Sequence, residues 1–380
     1  MVALAKRISE ETRRRGGEER ETRSEEAKSK GRRAKSKAAK YSQTTDYGLH
    51  ATHPVTPAPL PLPSPAPPLI SLARQHFLTP DRSDLPSLNR YARLVKNKGE
   101  QVPVGYTEAS RGCKRLCRHC PIVPVYNGHF RIVPPEVVLA DIRQQVIAGA
   151  QHITFGDPDF FNGPGHALPL VKALHQEFPH LTYDVTIKVE HLLKQARHLP
   201  TLKETGCLFI TSAVESFDEA ILTFFDKRHT KAEFANALKL CRQLDLLLVP
   251  TFVAFTPWTT LAGYRAFLQE IVELGLVDQV SPIQLAIRLL IPPGSKLLEL
   301  ADVQNLVGEL NQAKLSYVWR NPDPAVDDLQ RDLEYLAGQH APRREVFRRV
   351  WQRAYEGSAP CPNLPPASHF VPYLTEPWYC

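Results

Sequence analysis

The sequence predicts an α/β protein with a largely parallel sheet, and three observations carry that expectation. Short apolar runs alternate with segments of helical period from Val102 onward. Several of the runs, Leu246–Phe255 above all, are apolar at consecutive positions, as strands covered on both faces must be. The chain has 380 residues, 43% of them hydrophobic, enough to bury a large core. An open doubly wound sheet and a barrel both satisfy this alternation.

The predicted strands are Val102–Thr107, His152–Phe155, Tyr183–Val189, Cys207–Ala213, Leu246–Phe255 and Ser281–Leu289. Between them, Val138, Ile142 and Val146 share one helical face, and Phe234, Leu238 and Cys241 share another. Pro134 and Pro135 suit a helix start, and Gly149 and Gly206 suit stops ahead of strands. Thr259 or Thr260 would cap the helix through Tyr264, Phe267 and Ile271. No GxGxxG or GxxxxGKS loop follows any strand, which removes the usual nucleotide signatures of open sheets.

The chain divides into a charged and Pro-rich tail over 1–69, a core over 70–300 and a C-terminal extension over 301–380. Residues 1–40 hold 14 Lys+Arg and seven Glu with almost no large apolar side chain, a composition that favours disorder. Eight prolines in 51–70 read as an extended linker. Seven glutamates argue against a transit peptide, and no apolar stretch follows the start to make a secretory signal. Beyond residue 40 the chain carries 33 charges of each sign, so the core's composition argues against a nucleic-acid partner despite the overall +7. No run of about 18 uncharged apolar residues exists to span a membrane.

The chemistry sits after the first strand, in SRGCKRLCRHCPI, where Cys113, Cys117 and Cys120 form C-x3-C-x2-C. One reading is a helical stripe, since these positions share a face, but Gly112 and Pro121 would confine that helix. A second is zinc with His119 or His129 as fourth ligand, although no second C-x2-C is present. The third is an iron–sulfur cluster with three thiolate ligands and one iron left open for a small molecule.

C-x3-C-x2-C directly after the first strand of a β/α pattern resembles the radical S-adenosylmethionine (radical SAM) enzymes, over roughly Val102 to Leu298. The resemblance implies a partial (β/α)6 TIM-like barrel, a 4Fe–4S cluster on the three cysteines, and S-adenosylmethionine chelated to the fourth iron. It implies reductive cleavage to a 5′-deoxyadenosyl radical that abstracts hydrogen from a substrate, small molecule or peptide, that the sequence does not name. It also implies an electron donor such as flavodoxin or ferredoxin, and the oxygen-sensitive cluster implies a reducing cytoplasm. His119 departs from the aromatic residue common at that position. Two alternatives stand beside this reading: a tRNA-modifying, methylthiotransferase-like radical enzyme, and a non-enzymatic zinc-binding module.

Further site residues follow from the same resemblance. Gly156, Asp157 and Pro158 occupy the turn that receives the cofactor's amino group. Lys188 and Glu190 end the third strand and alternate outward. Ser212 and Glu215 stand where the ribose is read, and Lys227 where the cofactor carboxylate is met. Phe160, Phe161 and Trp258 stand near strand ends, as pocket walls or as core. Arg288, inside the apolar run IQLAIRLLI, is expected to face the barrel interior and bind an anion, the cofactor carboxylate or the substrate. No catalytic acid or base is singled out. Cys207 and Cys241 read as core thiols.

A narrower resemblance rests on RGCKRLCRHCPIVPVYNGHFR, HITFGDPDFFNGPGHAL, YDVTIKVEH, VPTFVAFTPWTT, IQLAIRLLIPPGS and the closing YLTEPWYC. These resemble a bacterial radical SAM group named for its Cys-Sec-Ala-Glu-Pro or Cys-Cys-Ala-Glu-Pro tail. The expectation is that Cys380 begins such a pair, with a selenocysteine codon read as a stop.

Overall fold

The computed structural model describes residues 73, 75–339, 341–364 and 370–375. The charged tail and Cys380 lie outside the described residues. A seven-stranded sheet runs in the order Tyr373–Leu374, Arg93–Val95, Gln101–Thr107, His152–Phe155, Thr182–Thr186, Cys207–Glu215, Leu247–Phe252 and curls into a half-barrel. Its parallel part is β2 Gln101–Thr107, β5 His152–Phe155, β6 Thr182–Thr186, β7 Cys207–Glu215 and β8 Leu247–Phe252. This is the partial TIM-like barrel that the sequence predicts.

Each crossover starts and stops where local chemistry permits. The helix Pro135–Ile147 opens on proline, and Gly149 reverses the chain at φ 99° before β5. The helix Lys231–Gln243 opens on a capping box between Thr230 and Glu233. Thr260 caps Leu261–Glu273 by accepting from Gly263 N at 3.0 Å. These helices bury Ile142, Phe234, Leu238 and Leu268 against Ile153, Val185, Ile210 and Phe252 on the outer face of the sheet. Val102, Val104, Phe209 and Val249 turn to the other face. There they meet Leu94 of β1 Arg93–Val95 and Leu374 of β11 Tyr373–Leu374. Cys207 and Cys241 are core thiols, both buried.

Two strands differ from expectation. β6 stops at Thr186, and Val189–Lys194 is a helix, because Val189 and Leu192 bury at helical spacing. The sixth strand is reduced to a single bridge, Phe255 to Arg288. Pro282 opens a 3-10 turn over Pro282–Leu285 where that strand was expected, and Pro292 and Pro293 follow. The Gln284 side chain accepts from Phe252 N at 2.8 Å, supplying what a neighbouring strand would have given.

Residues beyond 301 pack into the same core through Leu329, Leu333, Phe347 and Val350. They also supply β11 to the main sheet, paired antiparallel to β1. No helix among the described residues is long and apolar enough to cross a membrane.

Candidate active site

The three cysteines lie in the connection between β3 Ser110–Gly112 and β4 Phe130–Ile132, an antiparallel pair at the C-terminal end of β2. The loop leaves β3 through Gly112 at φ +78°, where a Cβ would strike the His129 carbonyl and the Tyr126 ring. It is tied down from three sides. Lys114 Nζ donates to Asn162 O at 2.7 Å. Arg118 N donates to Phe225 O at 2.9 Å, and Ser295 Oγ donates to Arg118 O at 3.0 Å. Cys113 and Cys117 are buried and Cys120 is partly exposed. Burial pushes the Cys120 thiol up to about 11.

The base of the hairpin is held by Asp157, which is buried after β5. Its carboxylate accepts from Ala109 N at 2.8 Å and from the Ser110 hydroxyl. Burial raises it to about 7 against the pull of those donors. Each oxygen thus accepts from the chain, and Asp157 anchors the cysteine hairpin. Gly156 is required for a packing reason, since a Cβ there would meet the Tyr106 hydroxyl. Pro158 sits half-buried in the same turn.

Lys188 and Glu190 do not alternate outward. Both are buried, because the strand ended at Thr186 and the chain had already turned into the helix Val189–Lys194. Lys188 Nζ donates to Cys117 Sγ at 3.3 Å. Glu190 Oε1 accepts from Arg115 at 2.8 Å and from Lys194 at 2.7 Å. Asp159, fully buried, lies 2.6 Å from His191 Nδ1. Nothing in the sequence pattern marks Asp159 or His191, whose pairing spans the gap between two strands.

At the end of β7, Glu215 adopts φ +69° where the β7–β8 register shifts. Its Oε1 lies 3.0 Å from His119 Nε2 and accepts from Lys227 Nζ at 3.1 Å. Lys227 is turned inward between Asp226 and Arg228, both left-handed. Burial alone would raise the Glu215 carboxyl, but Lys227 and His119 outweigh it and hold it well below the carboxylate range. Burial works against the Lys227 charge too, and Glu215 and Cys117 more than restore it. The His119 ring stacks on Phe225 at 4.2 Å. Ser212 is fully buried, and its hydroxyl, like those of Thr211 and Thr251, has no hydrogen-bond partner among the described residues. A cleft of about 280 Å³ opens beside Glu215, Trp258 and Thr259.

Arg288 is a correction. The anion it was expected to bind from outside is supplied within the chain. Its guanidinium donates to Asp327 Oδ1 at 2.6 Å and to Trp319 O at 2.7 Å, over the Trp319 ring at 3.5 Å. The anion that the run IQLAIRLLI demands comes from the C-terminal extension. Phe160 and Phe161 are core, and Trp258 stacks on Phe224 at 4.4 Å.

Residues 107–257 match the model of the Radical SAM superfamily, a span containing the three cysteines, Lys188, Glu215 and Lys227. Over those residues the chain is similar to that superfamily. The hopanoid C-3 methylase of Methylococcus capsulatus is 24% identical over 160 residues, 42% of this chain and 30% of that protein. The ribosomal protein uS12 methylthiotransferase RimO of Geobacter sulfurreducens is 21% identical over 193 residues, 47% of this chain and 42% of that protein. The chain therefore spans less than half the length of these curated relatives. The solved structure of the cobalamin-dependent S-adenosylmethionine radical enzyme OxsB superposes with a TM-score of 0.51 at 15% identity. That match covers 60% of this chain and 40% of OxsB, and the likeness is one of fold.

Radical SAM homologues bind a 4Fe–4S cluster and S-adenosylmethionine. The residues here fit the cluster by donor chemistry: three thiols on one loop, with a buried ammonium against one sulfur. Among the described residues no three His, Cys, Asp or Glu side chains converge on a single ion. A cluster asks for something else, one thiolate at each of three irons.

Proposed function

We propose that the chain is a radical SAM enzyme in which Cys113, Cys117 and Cys120 each hold one iron of a 4Fe–4S cluster. When bound, that cluster supplies the electron that cleaves S-adenosylmethionine to a 5′-deoxyadenosyl radical able to abstract hydrogen. The observation that carries the reading is the cysteine hairpin at the C-terminal end of β2, inside the matched span and beside two buried lysines. The protein's own residues then have definite tasks. Asp157 fixes the base of the hairpin. Glu215 holds Lys227 charged at the barrel mouth, placed for a cofactor carboxylate. The orphan hydroxyls of Thr211, Ser212 and Thr251 offer hydrogen bonds to a polar ligand. The substrate, small molecule or peptide, stays unassigned, and the electron would come from a flavodoxin- or ferredoxin-class donor in a reducing cytoplasm.

Anaerobic reconstitution tests the reading: about four irons and four sulfides per chain, with 5′-deoxyadenosine formed from S-adenosylmethionine and dithionite. A colourless protein that retains zinc instead would overturn it. A second reading, methyl or methylthio transfer, is favoured by the activities for which those two relatives are named. It predicts S-adenosylhomocysteine alongside 5′-deoxyadenosine. Placement in the group with the Cys-Sec-Ala-Glu-Pro tail is likewise proposed, on the quoted segments alone. Reading the codon after Cys380 tests it, and any codon but UGA counts against a selenocysteine there.

A further inference from the structure

Among the described residues, the buried carboxylates near the cysteine loop are met by the chain itself, Asp157 by Ala109 N and the Ser110 hydroxyl. Glu215 is held by Lys227, Glu190 by Arg115 and Lys194, and Asp159 lies against His191. Lys188 stands apart. It is 6% exposed, and among the described residues its Nζ has one hydrogen-bond partner, Cys117 Sγ at 3.3 Å. Among the described residues no other cysteine of the loop has an ammonium hydrogen-bonded to its sulfur: Cys113 Sγ accepts from Arg115 N at 3.5 Å and donates to Asn162 Oδ1 at 3.8 Å, and Lys227 acts on Cys120 through its charge.

We propose that Lys188 sets the reduction potential of the cluster, by placing a buried positive charge and an N–H···S hydrogen bond on the Cys117 sulfur. This rests on the radical SAM reading above. On reduction the cluster gains one electron from a flavodoxin- or ferredoxin-class donor, with no bond made or broken and the ammonium keeping its proton. The added negative charge spreads onto the sulfur ligands, and a cation within hydrogen-bonding distance in a water-poor site stabilises the reduced form more than the oxidised one. Lys188 therefore makes the cluster easier to reduce. Its position is built by the early stop of β6, which turns the side chain from the solvent toward the hairpin. Lys188 acts through the Cys117 ligand, so it is a positioning residue.

The test is a redox titration of reconstituted wild type, Lys188→Met and Lys188→Arg, without S-adenosylmethionine, followed by the electron paramagnetic resonance of the reduced cluster. At a fixed potential, Lys188→Met should lower the ratio of reduced to oxidised cluster at least tenfold, about 59 mV for a one-electron couple. Lys188→Arg, which keeps the charge, should stay within threefold of wild type. A Lys188→Met protein with full iron content and an unshifted midpoint overturns the proposal. Should that variant fail to load iron, hyperfine spectra of wild type carrying 15N in the lysine side chains decide. A nitrogen coupling that is lost in Lys188→Arg supports the contact, and its absence from wild type overturns it. A wild type that binds no four-iron cluster overturns the reading underneath, and iron and sulfide counts alone reveal that.

Discussion

Arg288 and Lys188 both read, in sequence, as cations at strand ends near a barrel mouth, and the structure gives them opposite tasks. Arg288 is fully answered by its own chain, through Asp327, the Trp319 carbonyl and the Trp319 ring. Lys188 is answered by a cysteine sulfur, in a neighbourhood where Asn162 Nδ2, Glu190 Oε2 and three strand hydroxyls have no partner among the described residues. A cation whose partners are internal closes the fold. One whose partner is a cysteine sulfur, among unpaired polar atoms, marks where the proposed site lies. The sixth-strand side of the barrel is structural, and the β2–β7 side is chemical.

The strongest way to break that contrast is at the cysteines. Alanine at Cys113, Cys117 or Cys120 should abolish iron loading and 5′-deoxyadenosine formation, since no remaining residue replaces a lost corner ligand. Alanine at Cys207 or Cys241 should spare both, as each is a core thiol whose loss costs only packing. Four irons retained in Cys117→Ala would end the cluster reading.

Glu215 ranks next. Glu215→Gln leaves Lys227 buried without its carboxylate, and losing one partner of a buried pair costs about 3–5 kcal/mol. Urea denaturation of the unloaded protein should show this as a lower midpoint. An unchanged midpoint would mean that the pair contributes nothing and that Lys227 is held otherwise. Sequence made the two candidates visible separately, but not their union with His119, which closes across 96 positions of sequence.

That limit recurs. The cysteines were legible because their spacing is local and thiols are rare. The alternation of strands and helices was legible because hydrophobic periodicity is local as well, while the barrel followed from the family resemblance. Lys188 was found, but pointed the wrong way, since β6 ends two residues before it and strand alternation no longer applies. Arg288 was misassigned because its anion lies 39 residues on, in an extension whose docking leaves no periodic signal in the apolar run itself.

Asp157 gives a pH test of the chemical side. Its folded pKa is raised, from the usual 3.8 to about 7, so it favours folding while protonated. That contribution is complete below pH 3.8 and is lost as pH rises through about 7. Unloaded wild type should therefore lose up to a few kcal/mol over that window relative to Asp157→Asn, which stays neutral throughout. Parallel stability–pH curves for the two proteins would count against a raised Asp157.

On the structural side the expected effects are smaller. Arg288 and Asp327 are each about a quarter exposed, so solvent weakens their attraction. Arg288→Met should cost roughly 1–2 kcal/mol, and Asp327→Asn a similar amount. The double variant should lose less than the sum, because both changes remove the same contact. Affinity for S-adenosylmethionine should not move. A weakened affinity in Arg288→Met would restore the binding role expected from the sequence.

The smallest effect has the opposite sign. Thr211 and Thr251 are buried on adjacent strands, and both hydroxyls lack partners among the described residues. A buried hydroxyl without a hydrogen bond costs free energy, and valine has the same shape without that group. Thr211→Val and Thr251→Val should each stabilise the unloaded protein by about 1 kcal/mol in urea titrations. On the proposed radical SAM reading, the same changes should also weaken S-adenosylmethionine binding. Arg288, with every contact internal, permits no such gain. Destabilisation by Thr211→Val would mean that its hydroxyl is already satisfied, and the distinction between the closed and the waiting side of the barrel would then rest on Lys188 alone.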